Sequence, residues 1–177
     1  MTQGRPAPTL ETGRLRLRGW RREDFRQNYA IMCEPAVHRF FGPEPMGEEE
    51  LWRRMCAAAG NWLMNGFGGM AVERLSDGKL VGNVGLFTAR RAFEPQFGDQ
   101  PEMGWIFATG THGTGMAHEA TSALLAWAEG NLPSQPIWAI ISNGNDPSFK
   151  LATRLGFKPL GEVDYDGPTT VLQRPSW

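Results

Sequence analysis

The run from Glu102 to Ala120, EMGWIFATGTHGTGMAHEA, constrains this chain more than any other stretch. It reads as a strand from Glu102 to Phe107, a glycine-rich turn, and the first turns of an alanine-rich helix. Gly110, Gly113 and Gly115 remove side chains where backbone must approach a ligand. The helix that follows presents free N–H groups and the positive end of its dipole to an anion. Strand, turn and helix together form a phosphate cradle. Two common cradles do not fit the letters. A P-loop requires Lys and then Ser or Thr after its last glycine, and Met116-Ala117 follow Gly115 here. A dinucleotide fingerprint requires a third Gly or Ala three residues after Gly115, and His118 occupies that place.

The surrounding pattern is mixed α/β with no internal repeat. Leu15 and Leu17 alternate with Arg14, Arg16 and Arg18, which predicts a half-buried strand with the arginines on its wet face. Helices are predicted over Arg22 to Cys33 and Glu48 to Met64. In the second, Leu51, Met55, Ala58, Ala59 and Trp62 recur at helical spacing. Met70 to Leu75 and Leu80 to Thr88 read as strands joined through Asp77-Gly78, a hairpin signal. Met116, Ala120, Leu124 and Trp127 mark one face of a long helix. Ile137 to Ser142 is β-rich, and Pro147 to Leu155 reads as a last helix. Ala89 to Pro101, with Arg90, Arg91, Phe93 and Phe97, has no period and reads as a long loop. Such loops are surface excursions or carry function.

With 177 residues and 41% hydrophobic content, the chain suits a short N-terminal tail, residues 1–9, followed by one domain over 10–177. A formal net charge of -1 gives no basic field for nucleic acid. Cys33 and Cys56, with three scattered histidines, cannot supply zinc spacing, so no metal and a reduced, cytoplasmic setting are expected. Neither a signal-peptide core nor an apolar run of bilayer length is present, so no membrane role is expected.

Two motifs, in order and correctly spaced, resemble one family. His112-Gly-Thr-Gly-Met-Ala-His-Glu-Ala120 is similar to the pyrophosphate loop of GNAT-superfamily N-acetyltransferases. Asn145-Asp-Pro-Ser148 with Leu155-Gly-Phe157 is similar to that family's downstream motif. Leu10-Glu-Thr-Gly-Arg-Leu-Arg-Leu17 and Gly104-Trp105 resemble the branch of ribosomal-protein N-terminal acetyltransferases of RimJ/RimL type. The resemblance spans Leu10 to Glu162. It implies a central, mostly antiparallel twisted sheet, splayed at the acetyl-CoA site and flanked by helices. It also implies acetyl-CoA as cosubstrate, with transfer to a primary amine on a protein N-terminus or a small molecule. Monomers and homodimers both occur in the branch. One departure is Gly110, where the superfamily often has Gln or Arg, which removes an auxiliary contact but not the backbone amides of the loop.

The resemblance also assigns roles. His112, Gly113, Thr114, Gly115, Met116 and Ala117 bind the pyrophosphate, and Trp105, Ile106 and Phe107 line the arm and offer a backbone N–H to polarise the thioester carbonyl. Asn145 contacts the cofactor arm and Ser148 lies near the sulfur, where it can steer a proton to the thiolate or simply cap a helix. Glu102 is the candidate general base, acting directly or through water, and a solvated strand-end carboxylate is the plain alternative. Glu119 fits a contact to the dipole or a neighbouring loop. Ala152 stands where the superfamily often places a tyrosine acid. Phe40-Phe41 either wall an acceptor pocket or join the core. His118, Lys150 and Arg154 read as surface residues, and His38 has no evident partner. With no cysteine in either motif, transfer is expected to be direct. A non-catalytic acyl-CoA-binding module is the competing reading.

Overall fold

Leu15 and Leu17, both fully buried, are inward-facing residues of a single sheet, and the rest of the chain is arranged around it. The computed structural model describes residues 4–177. Its strands are β1 (Leu10–Glu11), β2 (Leu15–Arg18), β3 (Gly69–Arg74), β4 (Leu80–Phe87), β5 (Glu102–Phe107), β6 (Ile137–Ser142), β7 (Lys158–Asp164) and β8 (Pro168–Arg174). They lie in the order β1-β2-β3-β4-β5-β6-β8-β7. Every neighbouring pair is antiparallel except β5 and β6. The helices are α1 (Phe25–Met32), α2 (Pro35–His38), α3 (Glu48–Asn65), α4 (Met116–Asn131) and α5 (Asp146–Arg154). This is the mixed α/β, mostly antiparallel architecture expected.

The sheet is covered on both faces. Ala120, Leu124 and Ala128 of α4 and Ala152 of α5 pack with Leu15, Val72, Leu86, Met103 and Ile137 in the main core. On the opposite face, Ile31, Met32, Val37 and Leu51 of α1, α2 and α3 cover Ala71 and the Ile106 side chain. Trp62 of α3 is 2% exposed and meets Trp127 edge-on at 5.1 Å, which puts both indoles where their helical spacing predicts. Arg5, within the expected tail, donates from its backbone N–H to the Trp62 carbonyl and stacks on Trp127.

Two expectations need correction. Arg18 is not on a wet face: it is 7% exposed and its guanidinium joins Asp24 at 2.8 Å and Glu73 at 3.0 Å. The strand pattern is period two, but a charged residue moves inside when buried carboxylates satisfy its donors. The segment from Arg22 begins as a 3-10 turn, Arg22–Asp24, because the Asp24 carboxylate accepts the Arg21 N–H and tightens the entry. Beyond Leu155, where the sequence shows no period, the chain forms the β7–β8 hairpin at the sheet edge. Asp166 and Gly167, both at positive φ, make its turn.

The decisive feature is a fork. β5 and β6 pair at one position only, Glu102 opposite Trp138. Beyond it the strands diverge among the described residues, and the sheet opens toward the C-terminal end of β5.

Candidate active site

A cleft of about 530 Å³ occupies the fork, with Glu102 to Ile106 on one side and Ile140, Ile141 and Ser142 on the other. Alternation along β5 decides which backbone groups reach it. The Trp138 N–H bonds the Pro101 carbonyl, and the Ala108 N–H bonds the Val81 carbonyl. Odd positions of β5 therefore turn their peptide groups toward β6 and even positions toward β4. With β6 splayed away, the N–H groups of Trp105 and Phe107 face the opening, and those of Ile106 are held by Asn83 of β4. Trp105 and Phe107 thus meet the need for a carbonyl-polarising donor. Ile106 contributes only its side chain, and the Phe107 ring is buried in the main core.

The cradle stands at the open end of β5. Gly113 and Gly115 have φ of 76° and 82°, the left-handed region that costs a glycine nothing. The amides of Gly113, Gly115, Ala117 and His118 have no acceptor among the described residues. They are the donors a diphosphate would take, at the positive end of α4. Thr114 is exposed, and its hydroxyl turns back on the loop: it donates to the Thr111 carbonyl at 2.6 Å and receives the Met116 N–H at 3.4 Å. His112 is exposed, with Nε2 3.1 Å from the Phe107 carbonyl, so its ring lies back over the strand end. His118 is half-buried, while Lys150 and Arg154 are exposed.

Glu119 bonds a neighbouring loop, as expected. It accepts from the Thr12 hydroxyl at 2.6 Å, the Arg14 N–H at 3.0 Å and the Arg14 guanidinium at 2.7 Å. Burial works against its charge, but those bonds outweigh it and hold the carboxyl below its ordinary range. Arg14 also donates to the Thr114 carbonyl at 3.0 Å. The turn between β1 and β2 therefore braces the cradle on the chain that lacks a long side chain at Gly110.

Asn145 caps α5, its side chain accepting the Ser148 N–H at 3.3 Å. Ser148 is thus not the cap. Its hydroxyl oxygen receives the Trp105 indole N–H at 3.2 Å across the cleft. An oxygen already accepting from an indole keeps its own proton free to donate elsewhere. Asn145, Ser148 and Trp105 all line the cleft.

Glu102 is not a solvated strand end. It is 2% exposed and lies in the fork of Arg91, at 2.6 and 2.9 Å, while Arg91 also donates to the Tyr165 hydroxyl at 2.6 Å. Burial works against the Arg91 charge, but its bonds to Glu102 prevail and hold it above its ordinary value. The loop between β4 and β5 is therefore part of the site through Arg91. Phe40 and Phe41 line the cleft, and Phe41 is 45% exposed, so this pair walls the pocket rather than the core. Asn28 and Asn83, which carry no motif, line it as well. Tyr165, on the unanticipated hairpin, was beyond reach of any periodic signal.

A sheet split beside a glycine cradle, with backbone N–H groups exposed in the gap, defines a CoA-dependent acyltransferase fold. Comparison makes this specific. The acetyltransferase (GNAT) domain family matches residues 14–158. A solved protein from Bordetella pertussis, assigned to the GnaT family of acetyltransferases, is 34% identical, with TM-score 0.83 over 94% of this chain and 99% of its own. The ribosomal-protein-S5-alanine acetyltransferase of Vibrio fischeri shares the fold at 16% identity, with TM-score 0.73 over 95% of this chain and 96% of its own. A phosphinothricin acetyltransferase from Sinorhizobium meliloti, solved in complex with AcCoA, does so at 19% identity, with TM-score 0.69 over 97% and 89%. No curated protein matches the chain. The chain belongs to the GNAT acetyltransferase family, whose members transfer acetyl groups from acetyl-CoA. Among the described residues there is no group of His, Cys, Asp and Glu that could hold a metal, and no helix long and apolar enough to cross a membrane.

Proposed function

We propose that residues 10–177 act as one N-acetyltransferase unit, passing acetyl from acetyl-CoA directly to a primary amine in a ternary complex. The observation that carries this is the fork, which exposes the Trp105 and Phe107 N–H groups next to the free amides of the Gly113–Gly115 cradle. The arm of acetyl-CoA would lie in the gap with its carbonyl on one of those donors. The amine nitrogen bonds the carbonyl carbon, the oxyanion is held by the backbone N–H, and the C–S bond then breaks. One proton leaves the nitrogen for Glu102, directly or through water. The thiolate takes a hydrogen bond from Ser148 and a proton from solvent. Neither Cys33 nor Cys56 lines the cleft, which supports transfer without a covalent enzyme intermediate.

The acceptor side is apolar and close to charge balance. Phe40, Phe41, Leu51 and Met55 line it, with Arg54 and Arg91 set against Glu102 and Asp166. This favours a monoamine, such as a protein N-terminus or a small amphipathic amine, over a polycation. The formal charge of -1 and the two free thiols support a cytoplasmic protein with no nucleic-acid partner. The Arg91 fork around Glu102 is the one observation favouring a non-catalytic acyl-CoA-binding module instead, since it occupies part of the base. Titration calorimetry with acetyl-CoA and with ATP, followed by thiol release with an amine panel, decides between the two. A suitable panel is benzylamine, spermidine, glycinamide and Ala- or Ser-headed tetrapeptide amides. Acetyl-CoA binds, ATP does not, and thiol release depends on the amine. Absence of acetyl-CoA binding overturns both readings; binding without amine-dependent release leaves the module.

A further inference from the structure

We infer that Arg91 is the positioning residue of this site, strapping the sheet at the root of its fork and fixing Glu102 for the acceptor amine. The inference rests on the acetyltransferase reading above.

The loop carrying Arg91 is seated on the far half of the fork. Phe97, 4% exposed, stacks on Trp138 of β6 at 4.4 Å, and Phe93 meets Tyr165 of the β7–β8 turn at 5.6 Å. From that base Arg91 crosses to Glu102, the first residue of β5. Glu102 and Trp138 are the one paired position of the two strands, so the loop holds both members of the last rung before the gap. Arg91 also lies over the Tyr165 ring at 4.6 Å and donates to its hydroxyl.

A buried ion pair is a costly way to hold a loop. Desolvating two charges offsets most of their attraction, and an apolar pair of similar size commonly does as well. The Arg91 and Glu102 side chains are only 17% and 3% exposed, and the packing of Phe93 and Phe97 already anchors the loop. The pair therefore serves the carboxylate. The two bonds of this bidentate contact consume one acceptor direction on each oxygen and leave the other. Glu102 lines the cleft, so those remaining directions are the ones an amine or its water can use. Arg91 supplies orientation, and Glu102 touches the substrate. The other charged or titratable groups lining the cleft are Arg54 from α3 and Tyr165 and Asp166 from the hairpin turn, and of these only Tyr165 bonds Arg91.

The test is a double-mutant cycle on the full chain, with R91M, R91K, E102Q and R91M combined with E102Q. The acceptor is whichever amine of the panel gives the largest thiol release. R91M is expected to lower kcat by about tenfold or more while the KM for acetyl-CoA stays within about twofold. R91K recovers part of the loss, because an ammonium restores charge but not the bidentate fork. In the E102Q background R91M adds less than about twofold, since its partner is already gone. Losses that multiply in the double variant, or an unchanged kcat in R91M, overturn the inference while leaving the transferase reading intact. Wild-type protein that releases no thiol to any amine removes both. Should R91M be recovered unfolded, the same cycle run with R91K applies the same criterion.

Discussion

Ser148 shows how one hydrogen bond changes the meaning of a residue. A serine near a helix start is ordinarily a cap, but Asn145 holds that position and the Trp105 indole donates to the Ser148 oxygen. The hydroxyl proton is then left to point at whatever occupies the cleft. S148A should therefore lower kcat about tenfold, with the KM for acetyl-CoA within about twofold and α5 intact, because the cap is elsewhere. Steady-state kinetics with the best amine of the panel measures this. An unchanged turnover number removes Ser148 from the mechanism. Glu102, Ser148 and the cradle glycines could be named from the sequence as candidates because they lie in or beside the two motifs that carry the resemblance, and Glu102 and Ser148 both line the cleft. Arg91 was not assigned a partner, since its bond to Glu102 closes an irregular loop whose geometry leaves no period. The same holds for Tyr165, whose part in the site depends on a turn between two edge strands.

At the level of elements, the strand–glycine–helix unit was legible almost to its ends: Glu102–Phe107 and Ile137–Ser142 are strands over the residues expected, and α4 starts at Met116. Strong period and turn chemistry agree there. β7 fails that rule because its residues are exposed along most of its length, so there is no alternation to read. Its pairing with β8 comes from the Asp166-Gly167 turn and the β-branched run Thr169-Thr170-Val171. At this scale the shape of the cradle turns on Gly115, the left-handed residue immediately before α4, with Arg14 beside it. A methyl there meets only the flexible Arg14 guanidinium, at 3.6 Å, so space is not the constraint. Backbone conformation is, at about 1 to 2 kcal/mol for a residue other than glycine. G115A should weaken acetyl-CoA binding about fivefold or more, as the loop gives up its left-handed turn, while acceptor KM stays near wild type. Calorimetry reads the first and kinetics the second; equal affinity would mean that the amides of this turn do not carry the phosphate.

Across the whole molecule, β2, β3 and the entry to α1 are tied by Arg18, Asp24 and Glu73, all three buried and none of them lining the cleft. Hydropathy alternation put the leucines of β2 inside correctly but had no means of showing that a charged residue beside them was paired. Burial works against the Asp24 charge. The two Arg18 bonds and the Arg21 N–H prevail and hold the carboxyl below its ordinary value, while Arg18 is held above its own. Because the folded value of Asp24 lies below the unfolded one, near 3.9, the stability it adds is complete above that pH and is lost as pH falls through the folded value. Arg18 stays charged over the same range and adds no slope. D24N leaves the Arg18 charge buried with half its partners gone, which costs about 3 kcal/mol at neutral pH. Glu119 is also held below its ordinary range, so the useful quantity is the difference between wild type and D24N. Urea unfolding from pH 7 down to pH 3 should show that difference full at neutral pH and shrinking below about pH 4, as protonation takes from the wild type what the substitution has already removed. A difference that stays constant across that range would place the stabilising role of the network in packing rather than in the Asp24 charge.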